Sequence, residues 1–367
     1  MRCSCPASGH ASSNSVRPGY KIAIAGVMTA SCLGFALAAT GISSFAQQDT
    51  AGMRMTRAAK DWIDSLDADQ KKAATFAFTD KERSNWNFVP LQDKERKPTR
   101  KGLRLELMTD SQKDKAMSLL RTGTSDRGYQ AALATISLES VLARMEKPGG
   151  NVRTPGWYFV SIFGEPGSEA GWGWRFEGHH LALNFSLRGT DVTGTTPAFF
   201  GANPAEVRSG AEKGRVALEG CSALALKLIS SLSPKQTSKA SAAKPSVEVD
   251  QGQTKPPALT GAGITADSLT MEQGEILTKL LRDYTGRLPA ELEARELALI
   301  QGYPRSDLRF EFFRDSAAKG KPMTYRIEAP GFLIQYLNVQ ADGEGNPANH
   351  IHSAYRRVAG DFGQPRR

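Results

Sequence analysis

Apolar residues recur every three or four positions in several stretches of the chain, and this spacing predicts amphipathic helices that turn one face to a core. In one of these stretches, for example, Leu218, Cys221, Ala225 and Leu228 share a stripe. The predicted helices run over Met53–Phe78, Tyr129–Met145, Val216–Leu232, Leu269–Tyr284 and Ala290–Ile300. A further helix is predicted to begin at a cap at Asp110 or Ser111.

Shorter stretches between and after these helices are dense in aromatic and β-branched residues, which is typical of buried strands. The predicted strands are Trp157–Phe163, one or two within Trp172–Leu187, Leu308–Phe312, Tyr325–Ile327, Phe332–Val339 and His350–Tyr355. Helices precede strands in each half of the chain. This order predicts an α+β fold, with helices packed on a largely antiparallel sheet built from the central and C-terminal strands. The pattern shows no internal repeat.

Residues 233–263 are rich in Ser, Lys, Ala, Pro, Gln and Gly and have few aliphatic side chains, which predicts a flexible linker or a long surface loop. This segment divides the chain into residues 47–232 and 264–367. Because it joins two helical stretches, the strands before and after it are expected to share one sheet. The two parts then form one compact domain.

The first 46 residues have the pattern of a secretory signal peptide. Arg2, Arg17 and Lys21 precede the uncharged apolar run Ile22–Ala39, and Ser44-Phe45-Ala46 offers small residues at a cleavage site. We expect cleavage after Ala46 and export to the periplasm or beyond the cell, with no stable membrane insertion afterwards. The alternatives are an uncleaved N-terminal anchor and a lipoprotein modified at Cys32.

Composition narrows the class of protein further. The 367 residues include 47 basic and 38 acidic side chains. The composition as a whole excludes a collagen, a disulfide-stapled miniprotein, a polytopic membrane protein and a wholly disordered chain. The leader carries three basic residues and no acid, so the net charge of +9 falls to +6 after cleavage (9 − 3), too little to predict a nucleic-acid partner. Of the four cysteines only Cys221 remains, which excludes an internal disulfide, and its helical stripe predicts a core role.

The five histidines carry the strongest chemical signal. His10 lies in the leader, and the other four form two tight pairs, His179-His180 and His350-x-His352. Residues two apart on a strand point to the same face, so His350 and His352 project together, as two ligands of one metal do. We expect the two pairs to converge on one cleft and to bind Zn²⁺, Fe²⁺, Mn²⁺ or Cu²⁺.

Two observations weaken the metal hypothesis. Adjacent residues on a strand face opposite ways, so His179 and His180 do not both point inward unless a bulge or loop intervenes. The sequence also lacks the His-Glu-x-x-His motif. A metal-free cleft with acid–base histidines, or purely structural histidines, therefore stays open.

Polar and aromatic residues around both pairs predict a pocket for a small polar molecule. The candidate catalytic groups are Glu177, two residues before His179, and Asp361. The candidate ligand-binding residues are Trp172, Trp174, Arg175, Asn184, Tyr355 and Arg356. The tryptophans are also compatible with a core role, and Asp361 with a turn.

The functional hypothesis is an exported protein that hydrolyses or oxidises a small polar substrate at a histidine-rich, metal-binding cleft. The alternative is a non-catalytic extracytoplasmic protein that binds a ligand or a metal. The sequence makes no prediction of the oligomeric state.

Three stretches carry a resemblance to a known family. They are Trp172–Asn184 with its Gly-His-His motif, Thr196–Pro204, and His350–Ser353 together with Asp361–Gly363. They resemble the secreted family of domain of unknown function 3500 (DUF 3500), over nearly all of the mature chain. The resemblance implies an exported, largely bacterial protein with these histidine motifs as its hallmark, and it assigns no activity.

Overall fold

The structure, a computed structural model, describes residues 49–146 and 149–363. The predicted signal peptide, residues 1–46, lies outside the described residues. These described residues belong to one compact unit. Within the described ranges, no helix has both the length and the apolar character needed to cross a membrane.

Eight α-helices form within the described residues. They are α1 (Ala51–Asp64), α2 (Ala68–Ala74), α3 (Asp110–Thr122), α4 (Asp126–Met145), α5 (Glu219–Ser231), α6 (Pro234–Ala240), α7 (Met271–Thr285) and α8 (Ala290–Gln301). The predicted helix Met53–Phe78 is in fact two helices, because Asp67 caps a new one by accepting a hydrogen bond from the Gln70 N–H at 2.8 Å. Thr109, rather than Asp110 or Ser111, caps α3.

Twelve strands of the described chain form one mixed, mostly antiparallel sheet. They are β1 (Thr75–Phe76), β2 (Leu103–Arg104), β3 (Phe159–Phe163), β4 (Trp172–Gly178), β5 (Leu181–Arg188), β6 (Asp191–Gly194), β7 (Ala198–Ala202), β8 (Ile264–Thr265), β9 (Arg309–Arg314), β10 (Met323–Ala329), β11 (Phe332–Gln340) and β12 (His350–Arg357). The predicted α+β fold is confirmed.

The central and C-terminal strands meet in the middle of this sheet. The order is β1-β3-β4-β5-β7-β12-β11-β10-β9-β8, with β2 beside β3 and β6 beside β5. β7 and β12 pair antiparallel, with Ala202 opposite Ile351 and Ala198 opposite Tyr355. The strands on either side of the predicted linker therefore share one sheet, as expected.

Alternation along β7 and β12 separates two cores, one on each face of the sheet. Phe200 and Tyr355 lie in the large core with residues of the helices. Their neighbours Phe199 and Ala354 lie in a smaller cluster with Trp86, Phe88, Val249 and other apolar residues. The helices therefore cover one face, and the segments around Trp86 and Val249 cover the other.

The two halves of the chain repeat one succession of elements. Two helices, a short strand with a 3₁₀ turn, two more helices and a three-stranded antiparallel meander occur as α1-α2-β2-α3-α4-β3-β4-β5 and again as α5-α6-β8-α7-α8-β9-β10-β11. The first half also contains the short strands β1 and β6, which stand outside this succession. The sheet order accordingly reads alike from both ends inward, since β7 follows the first meander and β12 the second. The sequence pattern shows no repeat, whereas the order of elements in the described fold does.

Matching side-chain hydrogen bonds support this equivalence. Gln112 closes a capping box on α3 and donates to the Ser65 carbonyl at 2.7 Å. Gln273 closes one on α7 and donates to the Ser231 carbonyl, also at 2.7 Å. The repeat is hard to see in the sequence because it preserves caps and strand register while most other side chains differ.

The predicted linker, residues 233–263, contains α6 and then an extended path over the smaller core. Val249 of this path is buried. The Gly252 N–H donates to the Trp86 carbonyl at 2.7 Å, and the Trp86 indole donates to the Gln253 carbonyl at 3.1 Å. These hydrogen bonds hold the segment against the loop at Trp86, and the segment places Glu248 beside the histidines.

Candidate metal centre

Three imidazoles from distant parts of the chain converge in the structure. The Nε2 atom of His180 lies 2.9 Å from that of His350 and 3.2 Å from that of His352, and the last two are 3.1 Å apart. These three residues form a group that could hold a metal ion. The expectation that the two histidine pairs converge is confirmed for these three residues.

The strand geometry of β12 explains half of this convergence. His350 and His352 stand two residues apart on β12, so their rings project from the same face. Their planes are almost perpendicular, at 86°, which allows both Nε2 atoms to approach one point.

The turn between β4 and β5 explains the other half. His180 adopts the left-handed backbone region, with φ +63°, which is uncommon for a residue other than glycine. The adjacent rings of His179 and His180 therefore lie together, with their centroids 3.7 Å apart, instead of pointing to opposite faces. The turn thus removes the objection that neighbouring residues on a strand diverge.

One of the three rings is held from behind by a carboxylate. The Nδ1 atom of His352 lies 2.9 Å from Oε1 of Glu248. Such outer contacts fix the tautomer that leaves the Nε2 lone pair free for a metal.

Burial disfavours the protonated form of two of the three imidazoles. It lowers the pKa of His180 well below its usual value, with the neighbouring histidines adding to the effect. Burial likewise lowers the pKa of His350 to about 3. Neutral imidazole is the form that donates to a metal.

His179 lies beside the group rather than in it. Its Nδ1 atom is 2.5 Å from Oε1 of Glu139 on α4, and Nη1 of Arg153 lies 3.1 Å from the same nitrogen. Burial lowers the pKa of His179, and Glu139 opposes that effect. The Tyr158 hydroxyl donates to the His179 carbonyl at 2.7 Å and anchors the turn.

The centre is enclosed on most sides. His180 and His352 are 4% and 7% exposed, whereas His350 is partly exposed. The Phe88 ring meets His352 edge-on at 5.1 Å between centroids and stacks on Phe199 at 3.9 Å. Solvent therefore reaches the centre at His350.

The family's sequence model, described as "Protein of unknown function (DUF3500)", matches residues 48–364. The chain belongs to the DUF3500 family. No curated protein and no solved structure matches it.

Glu177 and its neighbours form a separate buried ion cluster in this DUF3500 protein. The carboxylate of Glu177 lies 3.3 Å from Arg100 and 3.2 Å from Arg175, and it accepts from the Asn87 N–H at 3.0 Å. Arg175 also donates to the Glu82 carbonyl at 2.7 Å. Glu177 thus pairs with Arg175, and Arg175 also binds Glu82. Neither Glu177 nor Arg175 belongs to the imidazole group.

Three further candidates on β4 and β5 serve the fold of the DUF3500 chain. The Trp172 indole donates to the Gly189 carbonyl at 2.9 Å, and Trp174 stacks on Phe185 at 4.3 Å. Asn184 donates to the Pro197 carbonyl at 2.9 Å. All three side chains are buried.

The C-terminal candidates also lie apart from the imidazole group. Arg356 donates to Asp361 at 2.7 Å and to the Gln253 carbonyl at 2.9 Å. Burial raises the pKa of Asp361, and Arg356 opposes that rise. Tyr355 points to the opposite face of β12, where its hydroxyl donates to Glu296 at 2.6 Å.

Sequence reasoning missed the residues that orient the histidines of this DUF3500 protein. Glu248 lies in the predicted linker, Glu139 within a predicted core helix, and Arg153 in a loop. None stands near a histidine in the sequence, so local spacing carried no signal for them.

Proposed function

We propose that the protein binds one divalent transition metal through His180, His350 and His352 and uses it to act on a small polar substrate. The observation that carries the proposal is the mutual approach of three Nε2 atoms within 3.2 Å. An N–H bond directs its hydrogen at one acceptor, so three nitrogens in a triangle cannot all be satisfied by hydrogen bonds among themselves. A central cation satisfies all three lone pairs.

The donor set favours zinc and hydrolysis over iron and oxidation. The group in the described chain consists of three imidazoles without a carboxylate, whereas iron oxygenases typically use two histidines and one carboxylate. Three histidines that leave a fourth position open are typical of catalytic zinc, which supplies a hydroxide near neutral pH. Nitrogen atoms about 2.0–2.1 Å from a tetrahedral zinc lie roughly 3.3–3.4 Å apart, slightly wider than the spacing here.

The protein's own residues would orient the centre and restrict access to it. Glu248 holds the His352 ring, and the Phe88 ring packs against the same imidazole. A substrate would enter past His350, the most exposed of the three. The burial of the other two imidazoles suits a small molecule rather than a polymer.

The alternative function is non-catalytic metal binding. The near-complete burial of His180 and His352 favours it, because it leaves little room for a substrate beside the metal. Activity separates the two functions. Metal-dependent turnover of small esters or amides supports the enzyme, and stoichiometric metal without turnover supports the binding protein.

We also propose export, with cleavage after Ala46. The basic leader and apolar run support it, and the family match begins at residue 48, just beyond the proposed cleavage site. N-terminal sequencing of protein from the native host tests it. Gln47 as the first residue supports export, and an intact Met1 in a cytoplasmic fraction contradicts it.

Metal content tests the main proposal. The protein is purified without an affinity tag that binds metal, and its metal is measured by mass spectrometry beside His350→Ala and His179→Gln. We expect about one metal per wild-type and His179→Gln chain, and loss in His350→Ala with an unchanged circular dichroism spectrum. Equal metal in His350→Ala and wild type contradicts the centre.

A further inference from the structure

A second candidate site lies at the turn between β10 and β11. A cavity of about 660 Å³ borders Pro330 and Gly331, and none of the four described histidines lines it. Its other walls include Arg295 and Glu296 of α8 and Arg357 at the end of β12.

This turn is the counterpart of the histidine turn in the repeated fold. Pairing of Gly178 with Leu181 closes the first turn, and pairing of Ala329 with Phe332 closes the second. The carbonyl of His180 accepts from the Gly201 N–H at 2.7 Å, and that of Gly331 accepts from the Val358 N–H at 3.0 Å. Both acceptors are the second residue of their turn.

The side chains at the two turns differ, and the second turn borders the cavity. His179 and His180 fill the first turn with two stacked rings. The second turn carries Pro330 and Gly331, and a Cβ added to Gly331 would lie 1.7 Å from the Tyr303 hydroxyl. The Tyr303 hydroxyl thus occupies the place that a side chain at position 331 would need, and the cavity next to it stays open.

The cavity has more free donors than free acceptors. The Glu296 carboxylate is occupied by the Thr195 hydroxyl at 3.1 Å, the Tyr355 hydroxyl at 2.6 Å and Arg357 Nη1 at 2.7 Å. These bonds fix Arg357, whose guanidinium has five N–H groups in all. Asp191, the other carboxylate of the lining, has a 75% exposed side chain and lies 3.4 Å from Nη1 of Arg295.

A second guanidinium faces the same space. Arg295 lines the cavity, contacts the Val192 carbonyl, and has a 48% exposed side chain. Each arginine is paired with one carboxylate of the lining and keeps further N–H groups beyond that pair, and guanidinium groups match carboxylate geometry.

We propose that this cavity binds a small organic carboxylate, held by Arg295 and Arg357, at a site separate from the metal centre. The site requires no metal. It would give the protein two ligand sites at equivalent turns of its two halves.

Calorimetric titration of the mature protein with succinate and malate tests the proposal, with succinamide as the neutral counterpart. The titrations are repeated on His350→Ala, which separates this site from chelation at the metal centre. We expect saturable binding of at least one carboxylate to both proteins and none of succinamide. Absence of binding by both carboxylates, or binding lost in His350→Ala, overturns the proposal.

Two variants locate the site. Arg295→Gln removes one guanidinium, and Leu299→Trp fills the cavity without changing charge. Both should weaken carboxylate binding about tenfold or more. Arg121→Gln, a half-exposed arginine outside the cavity, should leave it unchanged. Unaltered affinity in both cavity variants overturns the proposal.

Discussion

His180 and His352 lie 172 positions apart in the chain, and their Nε2 atoms are 3.2 Å apart in the fold. The contact exists because the β4–β5 turn reaches β12 across β7. It brings residues from both halves of the molecule together in one candidate metal site.

Glu248 should set the metal affinity without binding the metal. Its carboxylate orients His352, so Glu248→Gln should lower the zinc affinity about tenfold, as the loss of outer contacts commonly does. Competition with a chromophoric chelator measures the affinity. Asp250→Asn, an exposed acid on the same segment, is the control. Unchanged affinity in Glu248→Gln would show that this contact does not orient the ligand.

Cys221 should be unreactive in the folded protein. Burial raises the pKa of its thiol to about 11, so the thiol stays protonated at pH 8 and is shielded from reagents. In protein lacking residues 1–46, iodoacetamide should label the chain only after denaturant is added. Rapid labelling of native protein, followed by mass spectrometry, would contradict this placement.

Glu177 should contribute to stability and not to metal binding. Glu177→Ala leaves the buried Arg100 and Arg175 without their shared partner, which should lower the free energy of unfolding by about 3 kcal/mol. Arg121→Ala breaks an exposed ion pair and should cost less than about 1 kcal/mol. Urea unfolding gives both values. Loss of metal from folded Glu177→Ala would return Glu177 to the candidate ligands.

The internal repeat predicts that substitutions of two equivalent glutamines have similar effects on stability. Gln112→Ala and Gln273→Ala each remove a capping-box bond and a bond to a helix-end carbonyl. Each should therefore lower the free energy of unfolding by a similar amount, about 1–2 kcal/mol. A large loss at one position and none at the other would show that the two halves are stabilised differently.

Periodicity was sufficient to predict the α+β class and most helices and strands. Apolar spacing reports which residues face a core, and the stripe around Cys221 is buried as expected. Capping chemistry placed boundaries that periodicity missed, as at Asp67 and Thr109.

The candidate site was predictable only in part. His350 and His352 are two residues apart on a predicted strand, and this spacing was enough to predict that their side chains lie on the same face. The left-handed conformation of His180 and the approach of Glu248 depend on tertiary packing, so the sequence held no local sign of them. Polar residues next to the motifs, such as Arg175 and Arg356, engage buried carboxylates because a buried charge needs a partner.

X-ray absorption spectroscopy of the zinc-loaded protein tests the central claim most directly. Coordination by His180, His350 and His352 predicts about three imidazole nitrogen scatterers about 2.0–2.1 Å from the metal, plus one oxygen ligand at the open position. A first shell made only of oxygen, or one that contains sulfur from Cys221, would contradict it.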